Sequence, residues 1–352
     1  MILVCNAGSS SLKLAVFDHD LTERLSGSVT EIGEYGELRC GEQRQPVQAR
    51  DQPQALDLLL DAFGKAGHPL DSFTAAAHRV VHGGAVLTAP ARLESETIGS
   101  IRGCVPLAPL HNPANLAAIE ALATRAPDLP QYASFDTAFH ATNPDVATRY
   151  AIPQLQHDAG IRRYGFHGLS YAGMVAHFGK TLPPRLLALH LGNGASLCAI
   201  HHGESVATSM GYSPVSGLTM GTRAGEIDAA AVLRMASEHG ISETDLLLNK
   251  RSGLTALGGD NNMKALLDRT DTDAAVAVAH FCYWAARHAG SAVVAMGGVD
   301  AVAFTGGIGE NAPAIRDRIM DHLSFLGDIP VHVVPAEEEK QIARDALALL
   351  NR

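Results

Sequence analysis

The chain has 352 residues, 46% of them hydrophobic and 18% charged, which is long enough for two domains with full cores and too regular for a disordered protein. A formal net charge of −10 argues against a nucleic-acid partner, which would need a basic face, so positive charge at any functional site has to be local. Five scattered cysteines (Cys5, Cys40, Cys104, Cys198 and Cys282) form no CxxC pair, and neither a basic leader nor an apolar run of spanning length is present. A reduced, soluble, cytoplasmic protein is therefore expected, with no membrane partner.

The first element is a hairpin. Ile2 to Cys5 and Leu12 to Phe17 are apolar runs, and Asn6 to Ser11 between them is a polar, glycine-containing tip. Such a tip either makes the turn and nothing more, or offers spare backbone N–H groups and hydroxyls to a phosphate, with Lys13 adding a point charge on the return strand. Residues 21 to 50 alternate polar and apolar side chains between glycines, as further antiparallel strands would. Pro53 sits where a helix's first turn tolerates it, and Ala55, Leu56, Leu59, Leu60 and Phe63 form the apolar stripe of a packing helix.

Phe73 to Val81 reads as a buried strand that carries Arg79 to the edge of His82-Gly83-Gly84. An arginine among strand residues is costly unless an anion meets it, and that anion is either an internal carboxylate or a ligand. Asn112-Pro113 reads as an N-cap and first turn of a helix to about Arg125. The strand Tyr132 to Phe135 then ends at Asp136, and a carboxylate at the end of a buried α/β strand is either a site residue or a cap for the following turn. Residues 142 to 153, with two prolines, mark the boundary between two domains, 1–141 with 335–352 and 142–334.

In the second half, Arg162 to Gly168 combine charge, ring and glycine ahead of a helical run from Leu169 to Phe178, placing His167 near a helix start. Arg185 to Ile200 repeats the opening device: an apolar run, a turn at Gly192-Asn193-Gly194, then a second apolar run. Arg223 lies in a loop between Gly221 and Gly225, ahead of a helix from about Asp228 to His239 closed by Gly240. Ser242 to Asp245 reads as a capping box, and Thr272 to Met296 as a long alanine-rich helix. A third glycine turn, Thr305 to Asn311, follows the apolar run Ala301 to Phe304 and precedes a helix near Pro313, which together make an anion seat. Two hairpins of phosphate-binding type, one per half, suggest duplicated lobes facing each other across a cleft.

NAGSSSLK, HRVVHGG (78–84), PLAPLHNP (106–113), FDTAFH (135–140), RRYGFHG (162–168), HLGNGAS (190–196), TSMGYSPVSGLTMGTRAGEID (208–228) and GGIGEN (306–311) occur in this order along nearly the whole chain. In these blocks the sequence resembles the acetate kinase family. The resemblance implies an α/β fold of two duplicated βββαβαβα lobes, like that of the actin-like ATPases and ribonuclease H, and reversible in-line transfer of the ATP γ-phosphoryl group to acetate. It implies Asp136, His167 and Arg223 as catalytic residues, and Arg79 with the apolar Val81, Leu110, Phe166 and Pro214 around the carboxylate substrate. Nucleotide falls to Lys13, His190, Leu191, Gly192, Asn193, Gly194, Asn262, Met263, Lys264, Gly307, Ile308, Gly309, Glu310 and Asn311. Asn6 and Glu338 fall to Mg²⁺, or Mn²⁺ in its place. A homodimer formed through the second lobe is also implied. Propionate is the near alternative acceptor, and a nucleotide-driven switch without a small-molecule acceptor is the alternative from another class. The chain departs from the family pattern at Ala207, where an aspartate is usual, and at Asn262-Met263-Lys264, where Asp-x-Arg is usual.

Overall fold

A computed structural model describes residues 1–351, which fall into two compact units, residues 1–139 with 337–351 and residues 140–336. The first unit is built on an eight-stranded sheet. Its strands are β1 (Ile2–Ala7), β2 (Leu12–Phe17), β3 (Glu23–Val29), β4 (Gly36–Cys40), β5 (Gln43–Val47), β6 (Ala75–Val80), β7 (Ala91–Arg92) and β8 (Gln131–Phe135), in the order β5-β4-β3-β2-β1-β6-β8-β7. The expected opening hairpin is present, with Ile2 opposite Phe17 and Ala7 opposite Leu12. β6 and β8 lie parallel to β1, the arrangement that needs helical crossovers. Those crossovers are the helices Gln52–Lys65 and Asn112–Arg125, which bury Leu56, Leu59, Phe63 and Leu122 against Leu3, Leu12, Leu14 and Val16. The C-terminal helix Glu338–Leu350 packs on β1, β6 and β8, so the chain's last segment belongs to the first unit.

The second unit has a five-stranded sheet of β9 (Arg185–Leu191), β10 (Ala195–His201), β11 (Glu204–Thr208), β12 (Ala301–Thr305) and β13 (Val331–Val333), ordered β11-β10-β9-β12-β13. Here too a hairpin opens the sheet, with Leu191 opposite Ala195 and Ser196 opposite His190, and β12 returns parallel to β9. When strands are numbered within each unit, β3-β2-β1-β6-β8 and β11-β10-β9-β12-β13 are the same 3-2-1-4-5 sequence. The duplication implied by the two hairpins therefore extends to the whole sheet. The long helix Thr272–Met296 covers β10 and buries a small-residue face including Ala274, Ala277, Ala285, Ala289 and Ala292.

Several local expectations change. Asn112 is inside its helix rather than capping it, because its side chain is committed to the backbone of His82: Oδ1 accepts from the His82 N–H at 3.1 Å and Nδ2 donates to the His82 carbonyl at 3.0 Å. The capping box at Ser242 does not form, since the helix Ile241–Lys250 starts one residue earlier behind Gly240, whose φ of 84° ends the preceding helix. The third glycine turn is itself a short helix, Gly306–Asn311. Gly306 has a φ of 79°, and a Cβ there would lie 2.7 Å from the Leu191 carbonyl, so only glycine lets β12 enter that helix directly. Among the described residues no helix is long and apolar enough to cross a membrane, and all five cysteines are buried and unpaired with one another.

Candidate active site

The first unit concentrates charge at the ends of β1, β6 and β8. Arg79, near the end of β6, donates from Nε to Asp136 Oδ1 at 2.9 Å and from Nη2 to Asp136 Oδ2 at 2.6 Å, a bidentate pair whose carboxylate is almost fully buried. Its Nη1 donates to Asn6 Oδ1 at 3.2 Å and lies 3.8 Å from Glu338 Oε2. These bonds use three of the five guanidinium donors. Two donors are left outside these bonds. Burial works against the arginine's charge, and Asp136 followed by Glu338 more than offsets it, so the group stays cationic.

Two more charges complete this cluster. Glu339 accepts from Asn6 Nδ2 at 3.1 Å and pairs with Lys13 Nζ at 2.9 Å. Burial pushes the Glu338 carboxyl up, Arg79 opposes that push, and the neighbouring Asp136 adds to it. The Glu339 carboxyl is held down instead: burial is outweighed by Lys13 and by the bonds from Lys13 and Asn6. Asp136, Glu338 and Glu339 thus face Arg79 and Lys13 beside the Asn6 amide. Among the described residues no group of three or more His, Cys, Asp or Glu side chains is placed to hold a metal ion, and the Asn6 and Asp136 oxygens already accept from Arg79. Lys13 is thus committed to Glu339 instead of lying open at the hairpin tip.

Behind the arginine, a pair of buried asparagines fixes the chain after β6. Asn115 Oδ1 accepts from the Val81 N–H at 3.1 Å while its Nδ2 donates to the Ala7 carbonyl at 2.7 Å, tying the end of β6 to the end of β1. The Gly84 N–H donates to His82 Nδ1 at 2.9 Å, and burial lowers that imidazole to about 4, so it stays neutral. Asn115 and Asn112 stand three residues apart on one helix face. Two polar side chains in the buried stripe were the available signal for them, and the family blocks include Asn112 but stop short of Asn115.

The second unit gathers its chemistry around the turn after β9. His167 precedes the helix Gly168–Phe178 in left-handed backbone conformation, with a φ of 59°, a strain that persists only where surroundings enforce it. Its ring stacks on His190 with centroids 4.3 Å apart. Nδ1 of His167 lies 2.8 Å from Ser196 Oγ, and Nδ1 of His190 lies 2.8 Å from Ser170 Oγ. A Cβ on Gly194 would sit 3.1 Å from His167 Nε2 and 3.4 Å from Arg223 Nη1, so the missing side chain is what lets imidazole and guanidinium crowd one turn. The Asn193 carbonyl accepts from the Gly221 N–H at 2.9 Å, which joins this turn to the Arg223 loop. Arg223 also reaches the Pro214 carbonyl at 3.4 Å.

His167, His190, Gly192, Asn193, Gly194 and Arg223 are therefore neighbours, and the Gly307 backbone nitrogen lies 3.9 Å from where a Cβ of Gly192 would be. Phe166 and Leu191 are buried and Val81 nearly so, while Leu110 is exposed. Other expected nucleotide residues have structural duties: Asn262 caps the helix Met263–Asp268 through the Lys264 and Ala265 N–H groups, and Met263 is buried. Glu310 Oε1 accepts from the Gly306 and Ala336 N–H groups, and Asn311 Nδ2 donates to the Gly307 carbonyl. Ile308 and Gly309 lie within that short helix, with Gly309 buried.

Two units of one topology, each opening with a glycine-tipped hairpin, define a kinase of the actin-like ATPase fold. The model of the acetokinase family matches residues 1–344, and the chain belongs to that family. It is 41% identical to the acetate kinase of Deinococcus deserti, over 99% of this chain and 98% of that one, and 39% identical to the acetate kinase of Streptomyces coelicolor, over 99% and 97%. Among solved structures it resembles a propionate kinase from Francisella tularensis (TM-score 0.92, 33% identity, 98% of both chains). It also resembles the acetate kinase of Porphyromonas gingivalis (TM-score 0.90, 30% identity, 99% of both chains).

Proposed function

We propose that this chain transfers the γ-phosphoryl group of ATP to acetate, reversibly, giving acetyl phosphate and ADP. An acetate oxygen forms the new bond to phosphorus as the bond to the β,γ-bridging oxygen breaks, and ADP leaves with that electron pair. Acetate is a weak nucleophile and ADP leaves with negative charge. Positioning and charge compensation therefore carry the acceleration.

The residues divide the task. Arg79 grips the acceptor's carboxylate with the donors that Asp136 and Asn6 leave over, and Val81, Leu110, Phe166 and Pro214 supply apolar contact to its methyl group. Both Asp136 oxygens are occupied by Arg79, so Asp136 orients the guanidinium and is not the nucleophile. His167 and Arg223 hold the equatorial oxygens of the transferring group, and the turn His190 to Gly194, with the helix Gly306–Asn311, receives the rest of the nucleotide. Asn6 and Glu338, with Glu339 beside them, would hold Mg²⁺ or Mn²⁺, which would neutralise phosphate charge. The observation that carries this reading is the convergence of His167 Nε2 and Arg223 Nη1 on the bare Gly194, a pair of donors suited to a phosphoryl group.

The second reading, a propionate acceptor, has one observation in its favour, the likeness to the Francisella protein. One methylene is worth only about 1–3 kcal/mol of discrimination, so the two acceptors have to be separated by measurement. A hydroxamate assay of acyl phosphate with acetate, propionate and butyrate tests both. Highest kcat/KM with acetate is expected, highest with propionate selects the second reading, and no acyl phosphate from any of the three refutes the kinase. The buried free thiols suit work in the cytoplasm, and exposed apolar residues of the second unit such as Leu233 and Ile241 suit a homodimer.

A further inference from the structure

Tyr171 is the largest fully buried side chain of the molecule, and it carries a hydroxyl that nothing in the reaction above uses. It stands one helical turn beyond His167, and its oxygen lies 2.5 Å from Ser196 Oγ, the same atom that lies 2.8 Å from His167 Nδ1. Three polar groups thus form a line from the core to the imidazole. Buried polar groups persist when each is satisfied, and a line of hydroxyls has to choose a direction.

Chemistry chooses it. A phenol is a much stronger acid than an alkanol, and burial holds this phenol protonated far above its ordinary range, so Tyr171 always has a proton to give. Ser196 Oγ is the better acceptor of the two. Having accepted from Tyr171, it has one proton left, and that proton points at His167 Nδ1. An imidazole whose Nδ1 accepts carries its proton on Nε2, the atom that faces the Gly194 turn beside Arg223.

We propose that Ser196 and Tyr171 are positioning residues which fix His167 as the Nε2–H tautomer, so that a neutral imidazole presents a donor to the phosphoryl oxygens. This rests on the role given to His167 above and explains how the role is enforced. A histidine with its proton on Nδ1 would turn a lone pair toward the phosphoryl oxygens and repel them. The same residue's backbone is held from the other side: His140 Nε2 lies 2.9 Å from the Phe166 carbonyl, immediately before the left-handed turn. Ser170 meets His190 Nδ1 in the same way, so both stacked imidazoles have a serine behind them and Nε2 toward the glycines.

The test is nitrogen NMR of the full-length protein labelled in its histidine rings, with His167 assigned by its loss in His167→Asn, alongside steady-state kinetics. In the parent protein His167 should show an unprotonated Nδ1 displaced by an accepted hydrogen bond, and a protonated Nε2. In Ser196→Ala that displacement should vanish and kcat should fall about tenfold, the scale of one lost orienting hydrogen bond, with the KM values for ATP and acetate little changed. Tyr171→Phe removes only the terminal hydroxyl and should weaken the displacement with a smaller fall in kcat.

A protonated Nδ1 in the parent protein, or a resonance indifferent to Ser196→Ala, overturns the proposal. So does an unchanged kcat in Ser196→Ala where His167→Asn is severely impaired. If instead the resonances respond as described and His167→Asn keeps full kcat, the tautomer assignment stands and the phosphoryl role of His167 is what fails.

Discussion

The two centres solve opposite electrostatic problems. In the first unit two carboxylates and two cations are paired by short charged bonds with a third carboxylate, Glu338, 3.8 Å from Arg79, which spends most of its donors on Asp136 and Asn6. In the second, one guanidinium stands beside two imidazoles whose known partners are neutral hydroxyls. A group that must recognise a small stable anion can be fixed in advance, because the target's charge does not change before reaction. Groups that serve a transition state are better left with donors aimed at charge that has yet to develop. The comparison predicts that damage in the second unit lowers kcat, and that damage in the first changes acceptor binding and stability.

The largest break should come from Arg223→Ala. Removing the guanidinium beside Gly194 should lower kcat on the order of 10³-fold, the lower range of arginine-finger losses, with a modest change in ATP KM. An equal loss of ATP affinity would move Arg223 from the transition state to ground-state binding.

Next comes a stability effect in the first unit. His78 is fully buried in β6, its Nε2 is 2.7 Å from Gln131 Oε1, and burial lowers it from 6.5 to about 4 in spite of that partner. Because the folded value is depressed, the unfolded chain binds the proton first as pH falls. The fold therefore loses stability from about pH 6.5 down to about pH 4, by about 3 kcal/mol in all. The raised carboxyls of Glu338 and Asp345 act in the opposite sense, so the contribution is isolated as a difference. Denaturant titrations of parent and His78→Gln across that window should converge toward acid pH. Parallel curves would show that His78 does not titrate as the geometry requires.

Arg79→Lys keeps the charge and removes the planar fork. Asp136 would keep a cation but lose one of its two bonds, and the acceptor would meet a point charge. Loss of one charged hydrogen bond is worth about 2 kcal/mol, or roughly 30-fold in acetate KM. ATP KM should stay near its original value, and an unchanged acetate KM would take Arg79 out of the acceptor site.

Much of this arrangement can be read from sequence because it follows from local chemistry. Glycine-tipped hairpins between apolar runs have one folding outcome, and a charged residue such as Arg79 or Asp136 in an apolar strand announces that something must meet it. What sequence does not reveal is partnership at a distance. Asn115 is an ordinary helix residue until it meets the Ala7 carbonyl 108 residues away. Ser196 looks like any small strand residue until the helix Gly168–Phe178 brings Tyr171 and His167 to it. Local rules also lose to stronger local rules. The capping box at Ser242 yields to Gly240, whose positive φ has already ended one helix and allows the next to begin.

Gly194→Ala gives the smallest effect and the most specific test of the contrast between the centres. The φ of Gly194 is not in the left-handed region, so alanine brings no backbone strain, only a methyl group 3.1 Å from His167 Nε2 and 3.4 Å from Arg223 Nη1. The imidazole must give by a few tenths of an ångström, while the guanidinium is only just touched. Thermal stability should hardly change, whereas kcat should fall on the order of tenfold, because catalysis tolerates less displacement than packing does. Acetate KM should change less than kcat, since Arg79 and its partners Asp136, Asn6 and Glu338 lie in the other unit. A fall in stability with kcat intact would mean that the bare turn serves packing, and the imidazole and guanidinium of the second unit would then need another explanation for their approach to one glycine.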